Sequence, residues 1–176
     1  MSDERQDAVD ELLAEWRTAR PDLDTSPMGV IGRINRVSSK ILARLGQGFS
    51  DSGLDFPSFD VLATLRRTEG HRACAGKLAE TMMVSPGAVT QRMTNLEKRG
   101  LIQRTPCRKD RRRVWVSLTD AGMELIDSVL PAHVELEKQI VDALGPDEQE
   151  QLASLLRKLL LSLTEEIPDA ECCKCS

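Results

Sequence analysis

Residues 85–119 read SPGAVTQRMTNLEKRGLIQRTPCRKDRRRVWVSLT, and this stretch decides the fold. Ser85 is a favourable N-cap and Pro86 a favourable first helical residue, while Gly100 suits the position just past a helix end. The stretch therefore begins with a helix that ends before Gly100. Two short runs of apolar and β-branched residues follow, joined by a polar and very basic tip, which predicts a β-hairpin.

Apolar residues at helical spacing predict six more helices around this stretch. In chain order, we expect helices over 3–20, 28–49, 58–69, 73–82 and 86–99, strands over 101–105 and 114–118, and helices over 120–144 and 147–166. Pro131 falls inside the sixth helix, where a proline is expected to cause a kink. The sequence thus predicts a mainly α fold with a small β-hairpin wing (α+β).

The net charge of −4 conceals a strong separation of charge along the chain. Nine lysine and arginine residues lie between Arg92 and Arg113, opposed only by Glu97 and Asp110, whereas the segments before Thr25 and after Thr119 are acidic. Charge separated in this way concentrates a positive field on one patch, which attracts a phosphate backbone.

Two short helices with a tight turn, followed by a strand, match the helix-turn-helix arrangement that binds double-stranded DNA. The second helix would present small and hydrogen-bonding side chains to a major groove, and the hairpin would present cations to phosphates or to a minor groove. The predicted DNA-binding residues are Ser85, Gly87, Thr90, Gln91, Thr94, Asn95 and Lys98 of the helix and Arg108, Lys109, Arg111, Arg112 and Arg113 of the hairpin.

Other classes of function remain as alternatives. A charge run on its own is more often a solvated surface, and a protein-interaction module is a second alternative that salt-dependent binding to a duplex would separate from DNA binding. The chain has no nucleophile elbow, Gly-rich phosphate loop or catalytic metal motif, so we do not expect an enzyme, a cofactor or a metal site.

The outer helices carry apolar stripes too wide for a chain of 176 residues to bury alone. We therefore expect the first, sixth and seventh helices to pair with a second copy, giving a homodimer. The predicted organisation is N-terminal helices for dimerisation and one pocket wall over 1–55, a helix-turn-helix unit with its wing over 56–119, C-terminal dimerisation helices over 120–167 and a polar, Cys-containing tail over 168–176.

The sequence also predicts a cytoplasmic location without membrane contact. No apolar run approaches the roughly 20 residues that span a bilayer, and the acidic start Met1-Ser2-Asp3 is not a signal peptide. The five cysteines are an odd number, and Cys172, Cys173 and Cys175 crowd the tail, which does not form a disulfide framework.

Three motifs carry a resemblance to a known family: LEKRGLI at 96–102, DRR at 110–112 and VSLTDAG at 116–122. With them the chain resembles the MarR family of winged helix-turn-helix transcriptional regulators over about residues 5–166. The resemblance implies an obligate homodimer that binds a palindromic operator, most often as a repressor released by a small ligand.

The chain is most similar to the urate-responsive branch of that family, which has an additional N-terminal helix carrying a tryptophan. That resemblance implies four ligand residues, Trp16, Asp60, Arg92 and Arg104, and urate or a similar purine as the effector. The chemistry suits a flat aromatic anion, because Trp16 can stack on a ring and Arg104 can neutralise it. Arg92 lies at the edge of the inward face of its helix, so a ligand that binds it could shift that helix.

Each of these residues also has a structural alternative. Trp16 can be a core residue, and Asp60 can pair with a neighbouring arginine. Arg92 can be a phosphate contact, and Arg104 can be a charge that flanks the DNA. A redox- or metal-responsive MarR-type regulator acting through cysteines is the alternative function, since a cluster such as that at 172–175 can bind a soft metal or be oxidised.

Overall fold

The computed structural model describes residues 6–49, 52–81, 86–107 and 113–163, and the chain divides into two compact units, Met1–Arg44 and Leu45–Ser176. In the described residues the elements are α1 (Ala8–Ala19), α2 (Ser26–Gln47), α3 (Phe56–Arg67), a 3-10 turn (Glu69–His71), β1 (Arg72–Cys74), α4 (Ala75–Thr81), α5 (Pro86–Lys98), β2 (Ile102–Pro106), β3 (Val114–Leu118), α6 (Asp120–Val141) and α7 (Pro146–Leu163). The chain is therefore mostly helical with a small antiparallel sheet, as predicted.

In the first unit, α1 lies along α2. Asp7 and Asp10 form a capping box at the start of α1, and both carboxylates accept hydrogen bonds from Arg33 of α2. Gly29 allows close approach of the two helices, since a Cβ there would be 3.1 Å from Cδ1 of Leu13. Several large apolar side chains of this unit stay exposed: Leu12, Trp16, Leu23, Met28, Val30, Ile31, Val37 and Leu42.

The sheet of the second unit has three strands in the order β1-β3-β2, whereas the sequence predicted two. β1 pairs with β3, with Cys74 opposite Trp115, so Ala73 and Cys74 belong to a strand and not to the predicted fourth helix. A three-residue strand is too short to show alternation, and its partner lies some forty residues further along the chain. For both reasons, the pattern of residues along the sequence does not predict β1.

The core of the second unit joins α3, α5, the sheet and the start of α6. Its fully buried members include Leu62, Leu65, Leu96, Val116 and Ile126. All three phenylalanines of the chain, Phe49, Phe56 and Phe59, surround His133 of α6 with ring centroids 4.3–6.3 Å from its own. This arrangement holds α6 against α3.

The end of α5 is fixed to the start of α6. Gly100 has φ of 71°, and Leu101 N–H bonds to the carbonyl of Leu96, which together form a Schellman end to α5. Thr119 donates its hydroxyl to Gly100 O (2.7 Å) and accepts from Gly122 N–H (3.1 Å). A Cβ at Gly122 would lie 2.0 Å from Leu101 O, so only glycine fits this contact.

Helices α6 and α7 follow the wing. α6 continues through Pro131, and no helix in the described ranges is both long and apolar enough to cross a lipid bilayer. α7 has no buried residue, and its leucines stay largely exposed: Leu152, Leu155, Leu156, Leu160, Leu161 and Leu163. Such a row of exposed leucines is typical of a surface that another protein chain covers.

Candidate nucleic-acid interface and effector residues

The predicted DNA-reading face of α5 is exposed. Gln91, Asn95 and Lys98 point to solvent at helical spacing, whereas Met93 and Leu96 are buried in the core. Of the other predicted contacts, Thr90 is exposed, Thr94 is partly buried and donates its hydroxyl to Thr90 O (2.9 Å), Gly87 lies in the first turn of α5, and Ser85 lies outside the described residues. The helix therefore offers one polar face to a groove while the other is held by the core.

The wing consists of β2 and β3. Cys107 N–H bonds to Arg113 O (2.9 Å), which extends the strand pairing by one step beyond Pro106 and Val114. Arg113 is partly buried at the base of the tip. The remaining predicted cations of the tip, Arg108, Lys109, Arg111 and Arg112, lie outside the described residues.

The sequence analysis missed one cation of the sheet, Arg72. Its guanidinium lies 5.0 Å from the ring centroid of Trp115, a cation–π distance, on the face of the sheet opposite buried Val116. Arg72 joins the wing only through the pairing of β1 with β3, so no local pattern could have identified it.

Arg104 of β2 is held by Glu97 of α5. Its Nε donates to Glu97 Oε2 (2.8 Å), NH2 bonds to the same oxygen, and the Arg104 backbone N–H donates to Oε1 (3.2 Å). These hydrogen bonds hold the pKa of Glu97 below its ordinary value and raise the pKa of Arg104. The sequence analysis identified Glu97 only as one of two acidic residues within a basic segment. Its contact with Arg104 could not be predicted from residue spacing, because it crosses the turn between α5 and β2.

Arg92 of α5 lies beside the buried Met93 in sequence, at the edge of the inward face of its helix. It is partly buried, and its buried Nε has no hydrogen-bond partner among the described residues. Burial works to raise the pKa of nearby Asp55, but hydrogen bonds from Ser58 and the positive charge of Arg92 hold it below its ordinary value. A buried guanidinium N–H without an acceptor is uncommon, because an unmade hydrogen bond is costly inside a protein.

Asp60 of α3 is half-buried and lies in sequence between the buried residues Phe59 and Val61. Burial raises its pKa, and the positive charge of Arg67 opposes that rise only in part. Burying a carboxylate without a strong partner is unfavourable, and such residues concentrate at functional sites.

Trp16 lies on α1 in the first unit, with 39% of its side chain exposed, whereas the other three predicted ligand residues lie in the second unit. Its grouping with them therefore stays a prediction. In the second unit, an open groove of about 570 Å³ separates the start of α3 from the end of α5 and is lined by Gly53, Leu54, Asp55, Ser58, Asn95, Lys98 and Arg99. None of the four predicted ligand residues lines it.

The cysteines of the described residues, Cys74 and Cys107, are buried and form no disulfide. Among the residues that the structure describes, no three His, Cys, Asp or Glu side chains come together in a way that could hold a metal ion. Cys172, Cys173 and Cys175, the cluster of the redox or metal alternative, lie outside the described residues.

A model of the MarR family matches residues 54–114. The HTH-type transcriptional regulator PecS of Dickeya dadantii is 38% identical over 152 residues, which cover 86% of this chain and 92% of PecS.

Two solved structures share the fold at 25% identity and a TM-score of 0.68. One is a mutant MarR from E. coli complexed with operator DNA. The matched region covers 82% of this chain and 97% of the MarR chain. The other is BpsR of Bordetella bronchiseptica, whose DNA binding is regulated by 6-hydroxynicotinic acid. The matched region covers 74% of this chain and 98% of the BpsR chain.

The similarity to PecS extends over nearly the whole chain, and the mutant MarR that shares the fold is complexed with operator DNA. This protein therefore belongs to the MarR family of winged-helix transcriptional regulators, which bind double-stranded DNA and are not enzymes.

Proposed function

We propose that this regulator binds a palindromic operator as a homodimer, represses transcription there, and is released by a small aromatic anion, with urate or a related purine as the effector. Repression and release are what the urate-responsive branch implies, and the effector of BpsR, 6-hydroxynicotinic acid, is also a small heteroaromatic acid. A ligand acts as an inducer when it binds the conformation that does not bind DNA more tightly.

The observation that carries the effector proposal is the state of Arg92. This arginine lies on the DNA-reading helix, at the edge of its inward face, and keeps a buried Nε–H without an acceptor among the described residues. An anionic ligand would supply that acceptor. Because Arg92 belongs to α5, any movement towards the ligand would also move the residues that read DNA.

The homodimer is supported by the exposed leucines of α7 and the exposed apolar residues of α1 and α2. A symmetric pair would bury these surfaces and would present two copies of α5 to successive major grooves of one duplex.

The direct test is a mobility shift on the DNA upstream of the protein's own gene, titrated with urate, xanthine and salicylate. We expect urate to release the wild type and to act much more weakly on Trp16→Ala and Arg104→Ala. If urate releases the wild type and both variants equally from DNA, the assignment of these four residues to the ligand pocket is wrong. Cys-dependent release by peroxide in place of urate would support the redox alternative.

A further inference from the structure

The guanidinium of Arg104 is already occupied by a carboxylate of the same chain. Nε and NH2 of Arg104 both bond to Oε2 of Glu97, and Oε1 of Glu97 accepts from the Arg104 backbone. Glu97 thus uses the same fork of donors that recognises any planar anion. An effector that binds Arg104 in this way must first compete with Glu97.

The pair is accessible to such a competitor. The side chain of Arg104 is 29% exposed and that of Glu97 is 35% exposed, so neither is sealed from solvent. If an anion approached the other edge of the guanidinium, it would face the charge of Glu97 across a single arginine, and the repulsion would weaken the existing pair. Anion binding at Arg104 and the Glu97 contact therefore oppose each other.

Glu97 also ties two elements together. It lies one residue before the end of α5, and Arg104 lies in the middle of β2, so their ion pair joins the DNA-reading helix to the wing. The hydrogen bonds of Arg99 to the carbonyls of Gly53 and Ser52 hold the same end of α5, but they do not reach the wing.

We propose that Glu97 is an internal competitor for the effector: the anionic ligand takes its place on Arg104, and this exchange releases α5 from β2. The inference rests on the proposed function, because it assumes that an anionic effector binds at Arg104. It identifies Glu97 as a positioning residue that sets the sensitivity of the regulator to the effector and transmits binding to the helix that reads DNA.

The experiment is calorimetric titration of urate into the full-length wild type, Glu97→Gln and Glu97→Asp, with Glu135→Gln as the matched control. Glu135 forms an exposed ion pair with Lys138 on α6, so its variant removes a carboxylate charge from an ion pair away from Arg104. Glu97→Gln keeps the side-chain shape but removes the competing charge. We expect urate to bind it about tenfold more tightly than the wild type, whereas Glu97→Asp and Glu135→Gln should remain near the wild-type affinity.

A gain in affinity is a result that structural damage would not give, since loss of a merely structural ion pair would weaken binding. Glu97→Gln also lacks the ion pair between α5 and β2, so we expect it to bind operator DNA more weakly than the wild type without urate and to need less urate for half-release. If the wild type binds urate and Glu97→Gln binds it no more tightly, the exchange is wrong while the proposed function stands. If neither protein binds urate, the effector and the exchange fail together. Tighter urate binding without easier release of DNA would contradict the coupling.

Discussion

At the residue scale, the second unit contains three charged groups in unusual settings: Asp60, Arg92 and Arg104. Burial raises the pKa of Asp60, the buried Nε of Arg92 has no acceptor among the described residues, and Arg104 is held by Glu97. The family resemblance identified these three positions, but residue types alone could not show their partners. Those partners depend on which elements pack together, and Glu97 contacts Arg104 across a helix end and a turn.

Asp60 should destabilise the folded protein at neutral pH. Its pKa in the folded chain is raised above the ordinary value of 3.8, so between these two values the folded chain keeps a proton that the unfolded chain has released. Stability therefore falls as pH rises through this interval and stays lower above it. We expect Asp60→Asn to have a higher Tm than the wild type at pH 7, with the difference vanishing towards pH 3.

Thermal unfolding followed by circular dichroism across that pH range measures this effect. The control is Asp142→Asn, whose carboxyl is exposed at the end of α6 and should leave Tm close to that of the wild type. A lower Tm for Asp60→Asn at pH 7 would show that Asp60 has a stabilising partner.

At the scale of the element, the sequence predicted most of the fold. Helix spacing, Pro86 and Gly100 predicted α5 and its end, and the second wing strand was predicted with the bounds that the structure has. β1 could not be predicted, because three residues carry no periodicity and their pairing with β3 is set by the tertiary fold. The start of α3 was placed too late, since its cap is Asp55 and not a residue next to the predicted start at Ser58.

Asp55 has two separable roles at the start of α3. Its carboxylate accepts the backbone N–H of Ser58 (2.8 Å), and its charge faces Arg92. Asp55→Ala should lose the cap and cost about 1 kcal/mol, or about 3 °C in Tm. Asp55→Asn should keep the cap and the stability while removing the negative charge near Arg92. Equal destabilisation by both variants in thermal unfolding would contradict this separation.

The junction between α5 and α6 should tolerate no side chain at Gly122. A methyl group there would lie 2.0 Å from Leu101 O, and neither backbone segment can move without disturbing the hydrogen bonds of Thr119. We expect Gly122→Ala to lower the free energy of unfolding by about 3 kcal/mol, measured by urea denaturation. Gly46→Ala is the control, since a Cβ there meets nothing within 4 Å and should not destabilise the protein.

At the scale of the whole molecule, we propose that a second copy of the chain covers the exposed leucines of α7. We expect Leu156→Glu combined with Leu160→Glu to give a monomer by light scattering and to lower operator affinity at least 100-fold, because two linked DNA-binding units bind far more tightly than one. Ser154→Glu adds a charge to another exposed position of α7, and we expect it to leave the proposed dimer intact. If the double variant remains dimeric, α7 does not form the dimer interface.

We propose that α5 and the wing bind duplex DNA through a cationic surface, and that an anionic effector releases this surface from the DNA. Equilibrium binding of the wild type to its upstream palindrome, measured by fluorescence anisotropy over a series of salt concentrations with and without saturating urate, tests it most directly. We predict that log K falls linearly with log salt concentration, and that urate lowers K about tenfold or more at each salt concentration. A value of K that does not change with salt concentration would contradict binding through a cationic surface. A value of K that urate leaves unchanged would contradict release by an anionic effector.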